Sequence, residues 1–290
     1  MYNHKDIFSG HESFSLRESW IIKGIKLIKD RKEDRKEIFT SKNLTDVIDE
    51  LGVGSNMVKS LKYWLEIYNV IDENIEITEE IEEMIVYDRY LQKKISLWLL
   101  HYFTIKPTRK RKAIIWNIIG KKQNYSSFSK ELLIDLIDGE TERKYTKNTI
   151  ESSLMVYIKT YLYDNNDKVE NPENNLSSPF SKLMYLQREE KNKTEEYKFR
   201  SIESKELNPY FVYLILYELI KYQNRDRINR KDAYSYFNTI IKMDSYNFEL
   251  LLKEMENKEL IIIDRAAGLN NINFTSKLST KEVIKKIYEF

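Results

Sequence analysis

The sequence contains no cysteine, which removes disulfide scaffolds, thiol nucleophiles and thiolate metal sites together and fits a reducing compartment. Glycine and proline are scarce, 7 and 4 in 290 residues. That leaves little of the punctuation a sandwich or barrel requires and points to a mainly helical fold. Histidine is scarcer still: His4, His11 and His101 lie far apart, and no His-Glu-x-x-His pairs them. Gly52-Val53-Gly54 lacks the third glycine and the lysine of a phosphate-cradling loop, and no Gly-x-Ser-x-Gly elbow occurs. The most apolar run, Phe211 to Ile220, is interrupted by Glu218 and is too short to span a bilayer. The first residues, Met1 to Asp6, have no apolar core of a secretory signal. These absences make a cytoplasmic protein without membrane contact the expectation. They also leave nucleotide-dependent chemistry without a motif.

What is present is aromatic and charged. Aromatic residues make up 13%, including 21 tyrosines, which supplies burial capacity and argues against disorder. Lysine and arginine number 48 against 46 acids, a net charge of +2, so distribution matters more than balance. Lys106 to Lys112 holds cations, Arg109, Lys110, Arg111 and Lys112 among them, without an acid. Lys221 to Lys231 holds Arg225, Arg227 and Arg230 against Asp226 alone. Basic loops of this kind are usually solvated surface, and otherwise give sequence-independent affinity for phosphates.

Three segments repeat one plan, and the length suits two or three packed modules. The first module occupies residues 1–105. Leu44 to Leu51 reads as a helix, Gly52-Val53-Gly54 as a turn and Ser55 as the N-cap of a second helix. That helix buries Val58, Leu61, Leu65 and Tyr68 and presents Asn56, Lys59, Lys62 and Tyr63 outward, and Ile71 to Ile77 alternates like a short hairpin. The second module, residues 106–205, has Ser129 capping a helix to Asp138 and a break from Gly139 to Tyr145. Thr146 caps a helix there that shows Lys147 and Asn148, and Tyr197 to Arg200 reads as a closing strand. The third, residues 206–290, has helices over 210–222 and 230–241 and one capped by Ser245. Leu260 to Arg265 and Asn271 to Phe274 follow as a hairpin. The expected fold is therefore mainly α with small β wings, in tandem winged helix-turn-helix-like modules. Winged helices that read duplex DNA offer donors to base edges and cations to phosphates. The first module supplies Asn56, Lys59, Lys62 and Tyr63, although Asp72, Glu73 and Glu76 oppose phosphate; the third supplies Arg265. Trp98, His101, Tyr102 and Trp116 read as core packing, with base stacking as the sharper alternative.

The opening string, Phe8-Ser9-Gly10-His11-Glu12-Ser13-Phe14 with Leu16-Arg17 and Trp20, is the best candidate for a site. One reading makes His11 and Glu12 a buried hydrogen-bonding corner with Arg17 pairing Glu12; the other makes them base and ligand. This string and Leu51-Gly52-Val53-Gly54-Ser55-Asn56-Met57-Val58, running into Tyr63-Trp64-Leu65, resemble the prokaryotic family catalogued as domain of unknown function 4007. Leu97 to His101, Ser178-Pro179-Phe180 and Tyr197-Lys198-Phe199 are supporting positions, while Ser15 stands where the family commonly has proline. The resemblance implies a component of DNA phosphorothioate modification and phage-defence systems. It would act on double-stranded DNA beside a sulfur-transfer enzyme of the phosphoadenosine-phosphosulfate-reductase type. It further implies that DNA nicking, if part of the activity, would use His11 as base or ligand, Glu12 as ligand and Arg17 facing phosphate. No cofactor is expected, and a divalent metal only if the protein nicks DNA. The competing readings are a protein-interaction adaptor and a winged-helix regulator, with a homodimer left open.

Overall fold

The computed structural model describes residues 7–109, 113–121, 127–141, 145–163, 178–191, 194–265 and 270–290. The loop read over Asp164 to Ser178 falls outside them up to residue 177, as do Lys110, Arg111 and Lys112 and the wing turn at 266–269. The described residues are mainly helical with two small sheets.

Helix α1 (Trp20–Asp30) is amphipathic and buries Trp20, Ile21, Ile25 and Ile28. Gly24 lets it approach α3 (Ser55–Ile67) closely: a Cβ there would stand 2.7 Å from Leu65. α2 (Leu44–Leu51) ends at Gly52, whose φ of +64° gives the left-handed turn into α3. Gly54, not Ser55, holds the N-cap position of α3, and no side chain caps it. A hairpin does not follow; Ile71 and Ile77 make a single bridge, and Asp72 accepts the N–H groups of Asn74 and Glu76. α4 (Glu79–Tyr87) and α5 (Lys94–Phe103) complete the first segment.

In the middle segment, α6 (Ile114–Lys121) precedes α7 (Lys130–Glu140) and α8 (Lys147–Tyr161). Ser129 and Thr146 cap the latter two as read from sequence, with α7 running through Gly139. β1 (Leu162–Tyr163) pairs in parallel with β2 (Leu186–Lys191), which pairs antiparallel with β3 (Thr194–Phe199). β3 extends the strand read at Tyr197, whereas the charged β2 gave no alternating apolar signal.

The last segment contains α9 (Pro209–Tyr222), β4 (Arg227–Asn229), α10 (Arg230–Ile240), α11 (Ser245–Asn257), β5 (Ile261–Asp264) and β6 (Asn271–Phe274). Its sheet has the order β4-β6-β5, antiparallel throughout. Asp244, not Ser245, caps α11 by accepting the Asn247 N–H at 2.8 Å. The closing helix α12 (Thr280–Glu289) begins with a capping box of Ser279 and Glu282. It returns to the first segment, where Tyr288 stacks on Tyr87 and its hydroxyl lies 2.6 Å from Ser96 Oγ. The buried residues form one continuous core across all three segments. No helix among the described residues is long and apolar enough to cross a membrane.

Candidate functional site

The Gly-His-Glu turn is held by its backbone and by His11. Gly10 has φ +131°, and a Cβ there would meet Tyr63 at 3.1 Å. Glu12 and Ser13 both lie in the left-handed region, at φ 47° and 65°. Two consecutive non-glycine residues there persist only where surrounding contacts hold them. His11 supplies those contacts. Its Nδ1 accepts the Ser13 N–H at 3.0 Å, and its carbonyl accepts the Phe14 N–H at 2.8 Å. Trp64 Nε1 donates to the Phe14 carbonyl at 3.2 Å. With Nδ1 accepting, the ring proton sits on Nε2 and donates to Ser153 Oγ at 3.0 Å. Burial holds the His11 imidazole neutral, down to about 4 from 6.5. His11 is therefore a buried structural donor and acceptor, with no lone pair free to take a proton. Glu12 is exposed and makes no ion pair with Arg17. Arg17 instead lies over the rings of Phe14 and Trp20, its Cζ 5.6 and 5.4 Å from their centres. The expected three-residue constellation does not assemble.

A groove of about 760 Å³ does bring the turn and the α2–α3 helix pair together. Gly10 and Glu12 face Lys59 and Lys62 of α3 across it, and Thr149 in the first turn of α8 completes the wall. Its floor is aromatic: Phe8 stacks on Tyr145 at 3.8 Å, and Phe39 carries Lys62 above its ring at 5.9 Å. Asn56, Lys59, Lys147 and Asn148 are exposed. Lys59 and Lys147 make no ion pair among the described residues, whereas Lys62 approaches Glu66 at 3.9 Å. Tyr63 is not an outward residue. It is 5% exposed because the His11 ring meets its edge at 5.5 Å and Gly10 covers it.

Elsewhere Arg109, Arg230 and Arg265 are engaged. Arg109 is buried and donates to the carbonyls of Glu66, Ile67 and Phe103, so it closes the C-terminal end of α3 rather than facing DNA. Arg230 pairs with Glu249 at 3.0 Å and Arg265 with Glu256 at 2.7 Å, both acids belonging to α11. Arg227 is exposed on β4. Trp98, Trp116 and Tyr102 are buried, which excludes them as a stacking surface. His101 donates from Nε2 to the Ile240 carbonyl at 2.9 Å and accepts the Tyr161 hydroxyl at 2.8 Å. That hydroxyl in turn accepts Trp116 Nε1 at 2.8 Å. Among the described residues no three His, Asp or Glu side chains are grouped to hold a metal ion.

The sequence reading missed Phe39, Tyr145, Thr149 and Ser153, which neighbour the turn only in space. Ser153 carried a signal: it is a small polar residue on the same inward face of α8 as Ile150 and Tyr157.

The chain is similar in structure to SspB. The magnesium-ion-bound SspB crystal structure aligns with a TM-score of 0.75 and 19% identity, over 99% of this chain and 87% of that one. A second SspB crystal structure aligns at 0.74 and 19% over the same shares. No curated protein matches the chain. The profile of the protein family of unknown function DUF4007 matches residues 8–288, nearly the whole chain, and the protein belongs to that family.

Proposed function

We propose that the protein is a DNA-associated subunit of a phosphorothioate-modification system, gripping duplex DNA in the groove between the Gly-His-Glu turn, α3 and the start of α8. The observation that carries this reading is Lys59, without an ion pair among the described residues, beside Lys62 on the wall of an open groove, with Asn56, Lys147 and Asn148 exposed in the first turns of α3 and α8. Cations without carboxylate partners are those that exchange counterions with a phosphate backbone. The exposed Asn56 and Asn148 side chains offer the paired donor and acceptor that base edges require. Family membership and the likeness to SspB support the system assignment. The partner expected beside it is a sulfur-transfer enzyme. In this reading the helix pairs α2–α3 and α10–α11 act as winged-helix modules, the last with the β4-β6-β5 sheet as its wing. The turn shapes the groove, and His11, with both ring nitrogens engaged, is not a base for strand cleavage.

Fluorescence anisotropy of a labelled duplex, titrated at several salt concentrations, tests the reading. Lys59→Glu with Lys147→Glu is expected to weaken binding about 10- to 100-fold at low salt and to flatten the log–log salt slope by about 2. Absence of binding by the wild-type chain at low salt would overturn the proposal. A second reading, a protein-interaction adaptor, is favoured by one observation: two of the three candidate arginines of the last segment, Arg230 and Arg265, are neutralised by α11.

A further inference from the structure

Arg17 belongs to the Gly-His-Glu string but points away from the groove, and it borders a separate pocket of about 220 Å³. The floor is apolar and comes from three helical neighbourhoods: Ile21 and Ile22 of α1, Leu91 after α4, and Leu97 and Leu100 of α5. Tyr90, 59% exposed, stands at its edge.

The mouth is cationic. Arg17 is fixed over Phe14 and Trp20, and it makes no ion pair among the described residues. Lys23 lies on the same rim, and the one acid there, Glu18, is engaged by Lys182. The N-terminus of α1 opens at the same place, with no acid in its first turn and no side-chain cap from Ser19. Two features therefore coincide: a pocket large enough for one bulky apolar side chain, and an unneutralised guanidinium beside a helix N-terminus.

We infer that this pocket docks the C-terminal end of a partner polypeptide, seating its last apolar side chain on the floor and its terminal carboxylate at Arg17. The juxtaposition selects the occupant. Cation and apolar floor adjoin, so the anion and the apolar group must spring from nearly one point, and a C-terminal residue carries both on one Cα. Stacking on two aromatic rings pre-orders the guanidinium, which lowers the entropy lost when a carboxylate is captured. The surface lies apart from the DNA groove, so the inference stands whether or not the groove binds duplex.

The test is a methyl-detected NMR titration of the full chain with acetyl-Gly-Gly-Gly-Phe, compared with the same peptide amidated at its C-terminus. The Ile21, Ile22 and Leu97 methyl signals report the pocket. The free acid is expected to bind at least about fivefold more tightly than the amide, and Arg17→Gln to erase that preference. Equal binding of acid and amide, no shift from either at about 10 mM, or an acid preference that survives Arg17→Gln would each overturn the inference. The wild-type acid–amide comparison decides the matter even if the variant fails to fold.

Discussion

The helix pairs α2–α3 and α10–α11 follow the same chain order yet use their charge differently. Around α3, Lys59 lines an open groove, and neither it nor the exposed Lys147 of α8 makes an ion pair among the described residues. Around α11, Arg230 and Arg265 are drawn back onto Glu249 and Glu256 of that helix. A cation already paired with a carboxylate gains less from a phosphate than an unpaired one, by the about 0–1 kcal/mol that a surface pair is worth. Similar element order thus fixes architecture without fixing what the surface binds.

Variants sharpen this contrast, beginning with the largest effect. Arg109→Ala removes a buried cation that closes the end of α3 on three carbonyls. It is expected to destabilise the protein by about 3 kcal/mol in urea unfolding, because buried acceptors lose charged donors. The salt slope of DNA binding in the surviving folded fraction should not change, which separates this arginine from the groove lysines.

His11→Ala strands the Ser153 hydroxyl and the Ser13 N–H and frees the strained turn. A loss of about 2 kcal/mol is expected in the same measurement. The acid limb should also change. His11 and His101 are each held down to about 4 by burial, so the unfolded chain binds protons that the folded chain refuses. Stability should fall as the pH drops from about 6.5 towards 4, and His11→Ala should remove part of that fall.

Lys242 gives the opposite limb. Its ammonium donates to the carbonyls of Gly120 at 2.7 Å and Asn238 at 3.0 Å, and burial lowers it to about 8 from 10.5. A lysine lowered on folding releases its proton earlier in the folded state, so its contribution to stability should rise between pH 8 and 10.5. The difference between wild type and Lys242→Met, followed by thermal unfolding across that range, isolates it from the tyrosines. Smallest of all, Arg230→Gln with Arg265→Gln should change duplex affinity by less than about twofold. A large loss would erase the contrast between the α2–α3 and α10–α11 helix pairs.

Helical spacing made α3, α8 and α11 legible, since each buries apolar residues at intervals of three and four, whereas α9 was legible as a long apolar run and is buried on nearly all sides. Cap chemistry located the starts of α7 and α8, while a neighbouring residue took the cap at α3 and α11. β2 stayed hidden because Arg188, Glu189 and Glu190 show no alternation, and its pairing with β3 is what makes it a strand. The candidate site was half legible. Lys59 and Lys147 were named from their helix faces, whereas Tyr63 and Arg109 were misplaced because burial by distant segments is invisible to local periodicity.

The amino-acid sequence by itself determined the helical class, the absence of thiol and phosphate-loop chemistry, and the residues that could carry charge. Those follow from composition and spacing, which are local properties. Only the tertiary structure decided which charges remain available. Ser153 reaches His11 across 142 residues, α8 reaches α3, and α11 pairs with Arg230 and Arg265. Solvation and pairing are set by what packs nearby in space, and a chain position does not encode its neighbours.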